Sequence, residues 1–217
     1  TVVYSGATGA LLQAPMVSGP AVSTAGVMLG LHVAHFAAPA LRWVLFVLGL
    51  VGAAMVGTGL LLWTTARRRP SARAFFGLRL VERLNIAAIA GLPIGMASYL
   101  LANRLIPADA AGRADAEVAT MFYAWGVAAL LQLVRPARQA WTMLFAIGAL
   151  VFAAVPVANA LTTSRGLLAS WKAGDGVFLG FDLAMLAIAA LLAVAAWRAG
   201  RPQAVLAPRR TREMVHV

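Results

Sequence analysis

Two histidines, His32 and His35, stand three residues apart ahead of the first long apolar run, and they are the strongest ligating groups in the sequence. A spacing of three puts them on neighbouring faces of a helix. Neutral imidazole binds iron well, so the pair could hold a metal, with His32 as a ligand, or the edge of a haem near the membrane surface. The competing reading is a pair of interfacial histidines hydrogen-bonded to water or lipid headgroups. A two-histidine metal site prefers a spacing of four, and no cysteine or carboxylate stands near to complete a tetrahedral zinc shell. The third histidine, His216, falls in a basic, proline-interrupted tail that is expected to be disordered.

Asp182 is the only carboxylate inside an apolar run. Carboxylates so placed serve as proton relays or ligand partners, but water or Lys172 near the same end could equally satisfy this one. Glu82 and Asn85, in Glu82–Arg83–Leu84–Asn85, sit at the entry to another apolar run, where an interfacial ion pair is expected rather than catalysis. Asn159 and Pro156 are expected to pair and kink their helix, and Gln132 could hydrogen-bond across helices. The absence of cysteine excludes thiolate metal sites, disulfides and cysteine nucleophiles within the chain. No phosphate-binding loop, dinucleotide-binding glycine fingerprint, nucleophile elbow or HExxH is present, so ATPase, NAD-binding and zinc-protease readings have no support.

The elements that position these groups must be helices in lipid. With 62% hydrophobic residues, 12% charged ones and a mean hydropathy of +0.84, the chain is too apolar for a water-soluble domain. The net charge of +11 lies in short gaps between apolar runs rather than on one face, which makes it a topology signal and not a nucleic-acid surface. The sequence predicts an all-α membrane bundle of about five transmembrane helices, with spans near 41–64, 84–102, 118–134, 141–161 and 177–197. Trp43 and Trp63 bracket the first span at headgroup level. Placing Arg67 to Arg83, Arg135, Arg138 and the tail from Arg198 in the cytoplasm leaves only Arg42, Arg104, Arg113, Arg165 and Lys172 outside. An odd number of spans and the positive-inside bias then agree, with the N-terminal end periplasmic and the C-terminal end cytoplasmic in a bacterial inner membrane.

Ahead of the bundle (41–217), residues 1–20 read as a β-hairpin turning at Ser5–Gly9, the end of an extracytoplasmic domain, and 21–40 as an interfacial helix. The first run has no signal-peptide character, and the chain is expected to begin mid-protein. Small residues at four-residue spacing mark two faces for helix packing: Ala53 and Gly57 with Gly49 and Gly52 in the first span, and Gly91 and Gly95 around the kinking Pro93 in the second.

Gly30–Leu31–His32, Phe36, Pro39, Leu41–Arg42, Leu48–Gly49–Leu50 and Thr58–Gly59–Leu60–Leu61–Leu62–Trp63, followed by an arginine run, resemble the PepSY-associated transmembrane helix family. Val3 to Gly9 resembles the closing hairpin of the family's extracytoplasmic PepSY domain. Phe76 to Asn85 and Trp125 to Trp141 resemble one subgroup. The resemblance implies an iron-regulated inner-membrane protein similar to ferric-siderophore reductases. Such proteins carry b-type haem between helices through bis-histidine ligation and pass electrons to an iron chelate in the periplasm. His32 matches the family's histidine position, and His35 stands where the family varies. The family also has a first transmembrane helix with further histidines and the earlier half of the PepSY domain, both ahead of this sequence, so haem ligation by this stretch alone would be incomplete. Two other functions compete: a non-catalytic anchor presenting a PepSY domain to periplasmic partners, and a permease accessory subunit using Gly91, Pro93 and Gly95 as a broken helix and Asp182 as a coupling site.

Overall fold

The computed structural model describes residues 3–4, 11–13, 19–33, 38–68 and 75–201. They fall in two compact units, Thr1–Thr58 and Gly59–Val217, whose boundary lies inside one helix. In the first unit, β1 (Val3–Tyr4) and β2 (Leu11–Gln13) pair antiparallel with an irregular register. A pair of two and three residues is too short to build a sheet face. It is the one sheet among the described residues, and the expected PepSY-domain hairpin therefore finds no support in the fold. Helix α1 (Pro20–Val33) follows, at 14 residues too short to cross a bilayer. The remaining helices are α2 (Pro39–Arg67), α3 (Phe76–Ile86), α4 (Leu92–Leu105), α5 (Arg113–Leu131), α6 (Ala137–Thr162), α7 (Leu167–Ala173) and α8 (Gly176–Gly200).

Five helical stretches are long and apolar enough to cross a membrane: Ala40–Arg67, Phe76–Leu105, Arg113–Val134, Ala137–Thr162 and Gly176–Gly200. Each overruns the apolar stretch predicted for it, because polar residues continue the backbone hydrogen bonding into the headgroup layer. The second span contains Pro93, which has no N–H to give and crowds the carbonyl four residues back. The strain is taken up just upstream by a π-helical turn at Ala87–Gly91, which joins α3 to α4 as one span. Beside that widened turn, the Ala87 carbonyl accepts a hydrogen bond from the Trp125 indole N–H on α5 at 2.8 Å.

In the second unit the helices pack in the order α5, α4, α6, α8, with α6 between α4 and α8. Ile86, Ala90, Ile94, Ala128, Ala140 and Leu144 form one buried cluster, and Ala97, Phe152, Val155, Met185 and Ala189 another. Lipid is as apolar as these side chains, so close packing has to hold the helices together. Small residues supply it. A Cβ built on Gly95 would lie 2.9 Å from the Met121 carbonyl oxygen and 3.1 Å from Trp125 Cβ, and one on Gly148 would lie 3.2 Å from Leu192 Cδ1. The small-residue face expected in the first span behaves differently: no described atom lies within 4 Å of a Cβ built on Gly49, Gly52 or Gly57. Leu48, Leu50, Val51 and Met55 around it are exposed, so that spacing marks no helix contact among the described residues.

Gly95→Leu should cost on the order of 1 to 3 kcal/mol in detergent stability, because overpacking must push α4 and α5 apart. Gly126→Leu, on the open side of α5 where a Cβ meets nothing within 4 Å, should stay within about 0.5 kcal/mol. Thermal unfolding of the two purified variants checks this; equal stability would show that α4 and α5 do not approach at Gly95.

Candidate functional site

Asp182 and Asn159 are both fully buried, on α8 and α6. Asn159 Nδ2 donates toward the Asp182 carboxylate, 3.2 Å from Oδ1 and 3.3 Å from Oδ2, and reaches the Arg165 carbonyl at 3.0 Å. Around this pair the loop leaving α6 is tied down. The Thr163 hydroxyl donates to the Asn159 carbonyl at 2.6 Å, and the Ser170 hydroxyl donates to the Arg165 carbonyl at 3.0 Å. The Arg165 guanidinium pairs with Asp175, whose carboxylate also accepts the Phe178 N–H at the start of α8. A carboxylate at this depth is costly unless partnered, and an amide on the neighbouring helix partners it here. No cation pairs with Asp182 among the described residues.

A second clasp lies at the same end of the bundle. Arg113 Nε and Asn103 Nδ2 both donate to Glu117 Oε1, at 2.7 and 3.0 Å, and Arg113 Nη2 donates to the Asn103 carbonyl at 2.7 Å. This joins the last turn of α4 to the first turn of α5. The sequence carries its signal in the spacing of Arg113 and Glu117, four apart on one helix face, but a third span begun at Val118 leaves both in a loop. Nothing local marks Asn103, whose partner Glu117 lies on another helix.

At the arginine-rich end, Arg83 Nη1 donates to the Gln132 carbonyl at 2.6 Å and its Oε1 at 3.1 Å, so Gln132 does bridge helices. Glu82 pairs with Arg68 at 2.7 Å, the interfacial ion pair expected of it. Asn85 is buried and Nδ2 reaches the Leu60 carbonyl at 3.4 Å. Arg138 donates to the carbonyls of Ala199, Gly200 and Arg201, satisfying the exposed C-terminal end of α8.

His32 is exposed on α1, a helix with no buried residue. His35 and His216 lie outside the described residues. A bis-imidazole haem needs two ligands and an enclosing slot. The described residues supply one imidazole on an open helix, so they do not fit that group. They also contain no cluster of three or more histidine, aspartate or glutamate side chains able to hold a metal ion. A Cβ built on Gly91 would lie 3.4 Å from Trp125 Cδ1, Pro93 lies within one continuous span, and Asp182 accepts from Asn159.

Fold and polar groups together define a multi-span α-helical membrane protein whose intramembrane polar residues join helix to helix. Residues 9–66 match the family described as the PepSY-associated TM region. The match takes in β2, α1 and all but the last residue of α2, and leaves the bundle from α3 onward outside it. Nothing among curated proteins or solved structures matches the chain.

If Asp182 acts structurally, Asn159→Ala should destabilise the protein by about 1 to 3 kcal/mol, since it leaves a buried carboxylate without its donor. Asp182→Asn keeps the shape and an acceptor oxygen and should cost less than about 1 kcal/mol. Detergent unfolding of both variants reads the order; a larger loss for Asp182→Asn would mean that the charge itself is needed.

Proposed function

We propose that this chain is the membrane-embedded scaffold of a PepSY-type inner-membrane protein, which anchors an extracytoplasmic PepSY domain and presents it to periplasmic partners. One observation carries the reading. Polar groups in or beside the spans of the bundle bond one helical segment to another: Asp182 with Asn159, Gln132 with Arg83, and Glu82 with Arg68. Groups so engaged hold helices to one another, as a scaffold requires. Arginine collects at the ends of α2, α3, α6 and α8 that meet at one side, which supports a cytoplasmic placement of that side. A reporter fused after Val217 should accordingly be active in its cytoplasmic form only, and activity in the periplasmic form would reverse the orientation.

A second reading, a b-type haem protein reducing ferric-siderophore or related iron chelates, is favoured by one fact. The family match includes the positions of both His32 and His35. The other ligands would then come from outside the described residues.

An absorption spectrum of the protein purified in detergent separates the two. The scaffold reading expects no reducible Soret band, and His32→Ala indistinguishable from the parent. A reducible low-spin band that is lost or turned high-spin in His32→Ala would overturn it in favour of the redox reading.

A further inference from the structure

A cavity of about 420 Å³ opens between the arginine-rich ends of α2, α3, α6 and α8. Four arginines line it, Arg68, Arg138, Arg198 and Arg201, against one carboxylate, Glu82, and Asn85 contributes a buried carboxamide. This excess of positive charge is only partly used by the protein. Arg68 gives Nε to Glu82, with its side chain 60% exposed. Arg138 gives Nε and Nη2 to carbonyls of α8, leaving Nη1. Arg201 stacks on Trp197 at 3.5 Å, which fixes its plane and leaves its edge of N–H groups. The Arg198 side chain is exposed and makes no hydrogen bond or ion pair among the described residues.

Guanidinium forks converging on one concavity match the oxygens of a phosphate group, which accept paired N–H donors in the same plane. The cavity lies where the spans end, at the level where phospholipid headgroups lie, and Leu61 and Trp141 in its wall continue into the apolar body of the bundle. We propose that this cavity is a phosphate-binding site that takes the headgroup of an anionic phospholipid. The headgroup phosphate sits among Arg68, Arg138 and Arg198, and Asn85 offers its carboxamide from the floor. The acyl chains run along the neighbouring apolar helix faces, which a soluble phosphate has no means to use. Basic pockets between membrane helices recognise acidic headgroups by the same combination of fixed charge and adjoining hydrocarbon.

The test uses the purified full chain in a neutral detergent, titrated separately with phosphatidylglycerol, phosphatidylcholine and inorganic phosphate, and reads thermal stability and retained lipid phosphorus. Phosphatidylglycerol should be retained and should raise the unfolding temperature, whereas phosphatidylcholine should do neither. Arg198→Gln and Arg68→Gln should each weaken phosphatidylglycerol binding about tenfold. Arg198→Lys should restore part of it, because a point charge still attracts the phosphate. Arg104→Gln, at the far end of α4, should bind as the parent does. A shift with inorganic phosphate alone, lost in Arg198→Gln, would keep the phosphate chemistry but replace the lipid by a soluble source. Equal binding of phosphatidylglycerol and phosphatidylcholine, or unchanged binding in both glutamine variants, would overturn the site.

Discussion

Hydrocarbon offers no hydrogen bonds, so every polar group carried into it must find its partner on the protein, and this requirement organises the bundle from α3 to α8. Asn159 and Asp182 are the clearest case. Each is fully buried and would be costly alone, and each is the partner the other needs. Their bond fixes α6 against α8 at one height and one rotation, which a purely apolar seam in lipid would leave free to slide. No buried side-chain nitrogen or oxygen among the described residues lacks a hydrogen-bond partner.

The remaining packing follows from that fixed frame. Gly95 and Gly148 let α5 and α8 approach α4 and α6 closely, and the π turn ahead of Pro93 absorbs a residue that would break a plain helix. Trp125 then bonds the Ala87 carbonyl beside the turn, which ties the irregular stretch to α5. Ion pairs and capping arginines finish both ends where water and headgroups begin. Arg113 and Glu117 close the α4–α5 corner, and Arg138 closes the end of α8.

Some of this was legible in the sequence. Apolar runs of sufficient length are a direct consequence of bilayer thickness, so the five spans could be read without knowing any contact. Their ends were not, because polar first and last turns such as Arg113–Glu117 continue a helix yet look like loop. Spacing of small residues marked the face of the second span that meets α5 at Gly91 and Gly95 and also suggested Gly49–Gly57, where no neighbour is found among the described residues; the pattern records what could approach, and the partner helix decides whether it does. Asp182 was visible as an anomaly. Its bond to Asn159, twenty-three positions earlier and on another helix, was not, since sequence spacing carries no information across separate spans. The short helix α7 and the local serine and threonine bonds around Arg165 lie in a connection that the apolar runs leave blank. The histidine pair stays an argument from residue type and family likeness, with His32 on an exposed helix and His35 outside the described residues.

A double-mutant cycle on Asn159 and Asp182 tests most directly whether polar bonds between helices hold this bundle together. Unfolding free energies would be measured in one detergent for the parent, Asn159→Ala, Asp182→Ala and the double variant. The account predicts a favourable coupling of about 0.6 kcal/mol or more, the size found for hydrogen bonds between membrane helices. Strict additivity of the two single losses would contradict it, because the buried amide and carboxylate would then be neighbours without a stabilising bond.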